Sequence, residues 1–113
     1  MSQTPPVIDD ATFAELQAAA GEDFVAELVG TFFEEAPAMF AELRAALAAG
    51  AAERFRRAAH SLKTNAYTFG AMVLGTRARE LELGGLPADA AGLATLESAF
   101  AEAAAALKER IGG

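Results

Sequence analysis

The chain has 113 residues, 53% of them hydrophobic, no cysteine and a net charge of −7. That is room for one packed domain and too apolar for a disordered acidic chain. The acidic balance argues against nucleic acid, and the lack of cysteine excludes disulfides and thiolate metal sites and suits a reducing cytoplasm.

Residues 1–8 read as a flexible tail through Pro5-Pro6, ending in a small apolar anchor, Val7-Ile8. The tail has neither a basic segment nor an apolar core, so it does not read as a signal peptide. Residues 9–113 read as the folded domain. Asp9 and Asp10 offer a cap for a short helix over about Ala11 to Ala20, with Phe13 and Leu16 on one face, and Gly21 ends it. A second helix is predicted from about Glu22 to Ala49, with Phe24, Leu28, Phe32, Ala36, Phe40, Leu43 and Leu47 as its apolar stripe. Pro37 falls inside it and predicts a kink or a break, because proline donates no backbone hydrogen bond.

The third helix is predicted over Ala51 to Phe69. The fourth runs from Ala71 to Leu83, with Leu74, Ala78 and Leu81 facing inward. After a loop at Leu86-Pro87-Ala88, Asp89 is placed to cap a last helix. That helix reaches Ile111 and carries Leu93, Leu96, Phe100, Ala103 and Leu107 on its stripe. Valine occurs only at Val7, Val25, Val29 and Val73, and isoleucine only at Ile8 and Ile111, so strand formers are scarce. No charge-free apolar run approaches the roughly 18 residues of a membrane span. The expectation is a soluble, cytoplasmic, all-α protein: an antiparallel, up-and-down four-helix bundle whose extra short N-terminal helix caps one end.

Charge is segregated along the chain. Met1 to Leu43 carries nine acids and no base, whereas Arg44 to Arg79 carries seven bases and a single acid, Glu53. A basic middle in an acidic protein attracts anionic groups or an acidic partner face, although arginines also coat ordinary solvated helices.

The only histidine, His60, lies in this basic segment. Stepping about 100° per residue along the third helix places Phe55, Ala58, Ala59, Leu62, Ala66 and Phe69 between about 160° and 260° from it, a compact apolar face. Glu53, Arg56, Arg57, Lys63, Thr64 and Tyr67 fall within about 60° of His60. The histidine is therefore directed away from the core. Lys63 one turn on, with Arg56 and Arg57 one turn back, favours a neutral imidazole whose lone pair is nucleophilic. The same cations compensate a phosphoryl group once it is attached. Asn65, at about 140°, is placed to join helices through a buried hydrogen bond.

The run Ala59-His60-Ser61-Leu62-Lys63-Thr64-Asn65-Ala66-Tyr67-Thr68-Phe69-Gly70-Ala71 resembles the signature of the histidine-containing phosphotransfer (HPt) family, and Leu74, Ala78, Arg79, Leu81 and Glu82 continue in the style of its next helix. The resemblance implies a phosphorelay intermediate of bacterial-type two-component signalling. Its phospho-acceptor is His60, assisted by Lys63, with Gly70 as the helix-ending glycine; Arg56 and Arg57, from the helical reading, add electrostatic support. Thr64 stands where the family most often has glycine, and its hydroxyl is able to donate to a phosphoryl oxygen. The phosphoryl group passes from a receiver aspartate or a (hybrid) histidine-kinase system to a response-regulator receiver domain. The receiver supplies the Mg²⁺, so no intrinsic cofactor is implied. Docking is expected beside the histidine, with Phe13, Leu16 and Tyr67 as candidates, although a tyrosine there also packs its ring on a neighbour. Stand-alone members are usually monomers.

Other chemistries fail on inventory. One histidine without cysteine makes no ordinary zinc site, and there is no P-loop, kinase ATP motif or paired Glu-x-x-His of a di-iron bundle. An independent enzyme is not expected. The alternative to a phosphoryl carrier is a non-phosphorylated helical adaptor that binds a receiver or kinase through the same face.

Overall fold

The structure, a computed structural model, describes residues 6–112. They form five helices, α1 (Asp10–Ala20), α2 (Glu22–Ala49), α3 (Ala52–Thr68), α4 (Met72–Leu83) and α5 (Ala91–Arg110), and no strand among the described residues. No described helix is long and apolar enough to cross a membrane.

Local chemistry sets the boundaries. Asp9 caps α1 by accepting a hydrogen bond from the Thr12 backbone at 3.0 Å. Ala90 occupies the N-cap position of α5, and Asp89 one residue before it accepts from the Ala91 backbone through Oδ1 at 2.9 Å, satisfying the first amide of the helix. The α3–α4 corner closes in a Schellman pattern: the Ala71 N–H donates to the Ala66 carbonyl at 2.8 Å and the Gly70 N–H to that of Tyr67 at 3.0 Å. Gly70 has φ +78°, and a Cβ there would lie 2.9 Å from the Asp9 carbonyl oxygen. The corner thus needs glycine twice, once for the left-handed backbone and once for the close passage of the chain entering α1. Across that passage the Asp9 N–H donates to the Gly70 carbonyl at 2.7 Å.

The core is a single cluster drawn from all five helices. The α3 face is as read from the periodicity, with Phe55, Ala58, Ala59, Leu62, Ala66 and Phe69 all buried. Phe32 of α2 stacks on Phe69 at a centroid separation of 5.6 Å and meets Phe100 of α5 edge-on at 5.5 Å, joining three elements. Ile8 is buried and Val7 packs against the core, so this pair anchors the end of the tail. Residues 1–5 of that tail lie outside the described residues.

Two expectations for α2 are adjusted. Of the kink or break expected at Pro37, the break does not occur: the helix is unbroken through this residue, which is exposed, so that the carbonyl four residues back can turn to water. The buried row is Val25, Val29, Phe32, Ala36, Phe40, Leu43 and Ala46, whereas Phe24 is 51% exposed. Steps of four gain about 40° each, so a stripe read back from Phe32 in strict fours winds off the core face. Alternating three and four returns Val29 and Val25.

Candidate functional site

His60 is on the outer face of α3, its side chain 54% exposed. Leu62, two residues on, is fully buried in the core, which anchors the helix beneath it. The position agrees with the helical reading. The surroundings do not.

The nearest charged group to the imidazole is a carboxylate, not a cation. Glu82 of α4 places Oε2 2.7 Å from His60 Nδ1 and Oε1 2.7 Å from Lys63 Nζ. Arg56 Nη1 stands 4.0 Å from the same Oε2 and is itself engaged by Glu53, with Nε donating at 3.2 Å. The Glu82 side chain is only 8% exposed, and that of Lys63 22%. Lys63 therefore lies along the site in an ion pair instead of extending into solvent.

The Lys63 ammonium is the main reason the Glu82 carboxyl is held below its usual range, and His60 also contributes; burial acts in the opposite direction. An ionised carboxylate only accepts hydrogen bonds, so the neutral ring carries its proton on Nδ1 and donates it to Glu82. Nε2 then keeps a free lone pair, and no described residue hydrogen-bonds to it. The arrangement presents a nucleophilic nitrogen to the exterior, with an anion behind the ring and two cations within reach of that anion.

The remaining candidates divide. Arg57 is on the opposite flank, lining a cleft against α2 with Glu42, Arg54, Ala58 and Ser61; Arg56 joins the Glu82 cluster and Arg57 does not. Thr64 is exposed beside Lys63, and its carbonyl accepts from Thr68 Oγ1 at 2.9 Å. Phe13 is buried in the core and offers no docking surface, because α1 turns that face onto the other helices. Leu16 is half-buried. The Tyr67 ring packs on α4 at Gly75, and its hydroxyl lies 3.3 Å from Thr76 Oγ1. Asn65 makes no interhelical bond: Nδ2 donates to the Ser61 carbonyl of its own helix at 2.9 Å.

Glu82 is the residue that sequence reasoning left without a role. A signal was present. Leu74, Ala78 and Glu82 follow at steps of four, and the first two are buried. A carboxylate continuing a buried row needs a cationic or hydrogen-bonding partner on the facing helix.

Comparison with known proteins gives a family and a similar fold. The family model described as Hpt domain matches residues 27–108. A search of curated protein sequences finds no match. Among solved structures, the chain is similar to histidine-containing phosphotransfer protein B (HptB) from Pseudomonas aeruginosa PAO1. The two share 31% identity and a TM-score of 0.86, over 96% of this chain and 97% of that one.

Proposed function

The chain belongs to the Hpt family and acts in phosphorelay histidine phosphotransfer, and on that premise we propose that His60 is the phosphorylated residue and Nε2 its reacting atom. The observation that carries this reading is the Nδ1–Glu82 hydrogen bond at 2.7 Å on the chain's only histidine. It supports a proton on the inner nitrogen, with the outer one left as a base and nucleophile.

The transfer then follows. The Nε2 lone pair attacks the phosphorus of a receiver's aspartyl phosphate, the N–P bond forms, and the P–O bond to the aspartate breaks with its electron pair returning to the carboxylate. Phosphorylated at Nε2 and still protonated at Nδ1, the ring carries positive charge, which Glu82 compensates from behind. Lys63 compensates the phosphoryl oxygens, with Thr64 as a hydroxyl donor at the rim. The reverse sequence delivers the group to a second receiver. Mg²⁺ belongs to the receiver's acidic pocket, and this chain is a carrier without catalysis of its own.

The finer architecture that suits this role is an antiparallel four-helix bundle of α2 to α5 with α1 across one end. Its support is the cycle of packing, α2 on α3, α3 on α4, α4 on α5 and α5 on α2, with α1 against α2 and α3. The partners are receiver domains and a histidine kinase in the cytoplasm, met by a monomer.

Incubation with a phosphorylated receiver tests the assignment. Wild type is expected to form an acid-labile, base-stable adduct, and His60→Gln none, while helicity and receiver binding persist. Equal labelling of both proteins overturns the site, and receiver binding without any transfer favours the adaptor.

A further inference from the structure

The contact between α3 and α4 contains a second feature in register with the site. Tyr67 follows His60 by seven residues on α3, and Gly75 precedes Glu82 by seven on α4. The helices run in opposite directions from the Gly70 corner, so the Tyr67–Gly75 contact and the His60–Glu82 hydrogen bond are two rungs of one ladder. Seven residues are about two turns, or roughly 10 Å along the axis.

Gly75 is buried in the first turn of α4, against the last turn of α3. A Cβ on it would lie 2.6 Å from Tyr67 Cδ1 and 2.9 Å from Cζ, with Cε1 closer still. No real side chain fits there while the ring stays in place. Gly75 also has ordinary helical backbone, where glycine is the poorer choice by about 1 kcal/mol relative to alanine. Its presence is explained by the space it leaves. The ring fills a notch in α4, the tyrosine hydroxyl reaches Thr76, and the two helices approach as closely as an aromatic ring against bare backbone allows.

We propose that the Tyr67–Gly75 notch is a positioning device for phosphotransfer: it sets the α3–α4 separation at which Glu82 reaches His60 Nδ1 and Lys63 together. The proposal rests on the Nε2 reading above. The Glu82 side chain comes from the last turn of α4, and two hydrogen-bond-length contacts to α3 leave it little tolerance. Side-chain hydrogen bonds occupy roughly 2.7–3.2 Å and are lost by about 3.6 Å, so an outward shift of α4 by about an ångström is enough to release the ring. Gly75 and Tyr67 touch neither the imidazole nor the phosphoryl group, and act only through Glu82.

The test reads the ¹⁵N resonances of the His60 ring at alkaline pH, where the Nδ1–H and Nε2–H tautomers are distinguishable. Wild type is expected to show predominantly Nδ1–H, and Glu82→Gln to lose that preference. Gly75→Ala is expected to lose it as well and to slow phosphoryl acceptance about tenfold, the scale of a small misplacement of a reacting group. The double variant Gly75→Ala/Tyr67→Ala, in which the added methyl meets no ring, is expected to recover the wild-type tautomer. A merely structural role predicts further loss in the double variant, not recovery. Wild-type resonances in Gly75→Ala would mean that the ring moves aside while the helices stay, and would overturn the notch alone if Glu82→Gln still shifts the ring. Failure of the double variant to fold or to recover overturns it too. Identical resonances in wild type and Glu82→Gln bring down the Nε2 reading and this proposal together.

Discussion

His60 Nδ1 and Glu82 Oε2 lie 2.7 Å apart across the α3–α4 contact, joining residues 22 positions apart in the chain. The other oxygen of the same carboxylate holds Lys63, so the residue expected to serve the phosphoryl group is stored one turn from the histidine, paired and partly covered. This makes the site a three-group cluster whose members respond to one another.

The pH response of the cluster has a defined sign. A carboxyl held below its usual range in the folded state, as Glu82 is chiefly by Lys63, stabilises the fold above its unfolded value, and that contribution is lost as pH falls through the folded value. The melting-temperature difference between wild type and Glu82→Gln is therefore expected to be present at neutral pH, to narrow below the ordinary glutamate value of 4.5, and to close at the acid end. Lys63→Ala is expected to raise the Glu82 titration midpoint, followed by carboxyl ¹³C shifts, and to slow transfer without unfolding the protein. A midpoint that stays in place would show that Lys63 is not what holds the carboxylate ionised.

Two glycines with left-handed backbone differ in surroundings, and their alanine variants are expected to separate accordingly. Gly50, at φ +66°, faces open space, so Gly50→Ala meets only the backbone cost of about 1–2 kcal/mol. Gly70, at φ +78°, also faces the Asp9 carbonyl at 2.9 Å and Thr12 Cβ at 3.2 Å, so Gly70→Ala is expected to cost roughly 2–4 kcal/mol. Denaturant melts of the two variants measure the gap. Equal losses would show that α1 yields to the methyl group without resistance.

The contrasting burial of two α2 phenylalanines is checked in the same way. Phe32 is buried and meets Phe33, Phe69 and Phe100, and Phe32→Ala is expected to cost about 3–5 kcal/mol. Phe24 is more than half exposed, and Phe24→Ala is expected to change stability by no more than about 0.5 kcal/mol. A large loss from Phe24→Ala would restore it to the core row.

The sequence by itself determined whatever follows from positions within one helix. The outward direction of His60, its place one turn from Lys63, the buried Phe55-to-Phe69 face and the Gly70 stop all follow from helical periodicity and from the backbone freedom of glycine, and they are found as read. Tertiary structure decided what meets those residues. The anion behind the imidazole comes from another helix. Arg57 turns toward α2, Phe13 goes inward, and the helical face of α2 shifts from Phe24 to Val25. Periodicity specifies an angle about one axis but neither the distance to nor the rotation of the neighbouring axis, and at His60 about an ångström across that gap separates a held imidazole from a free one.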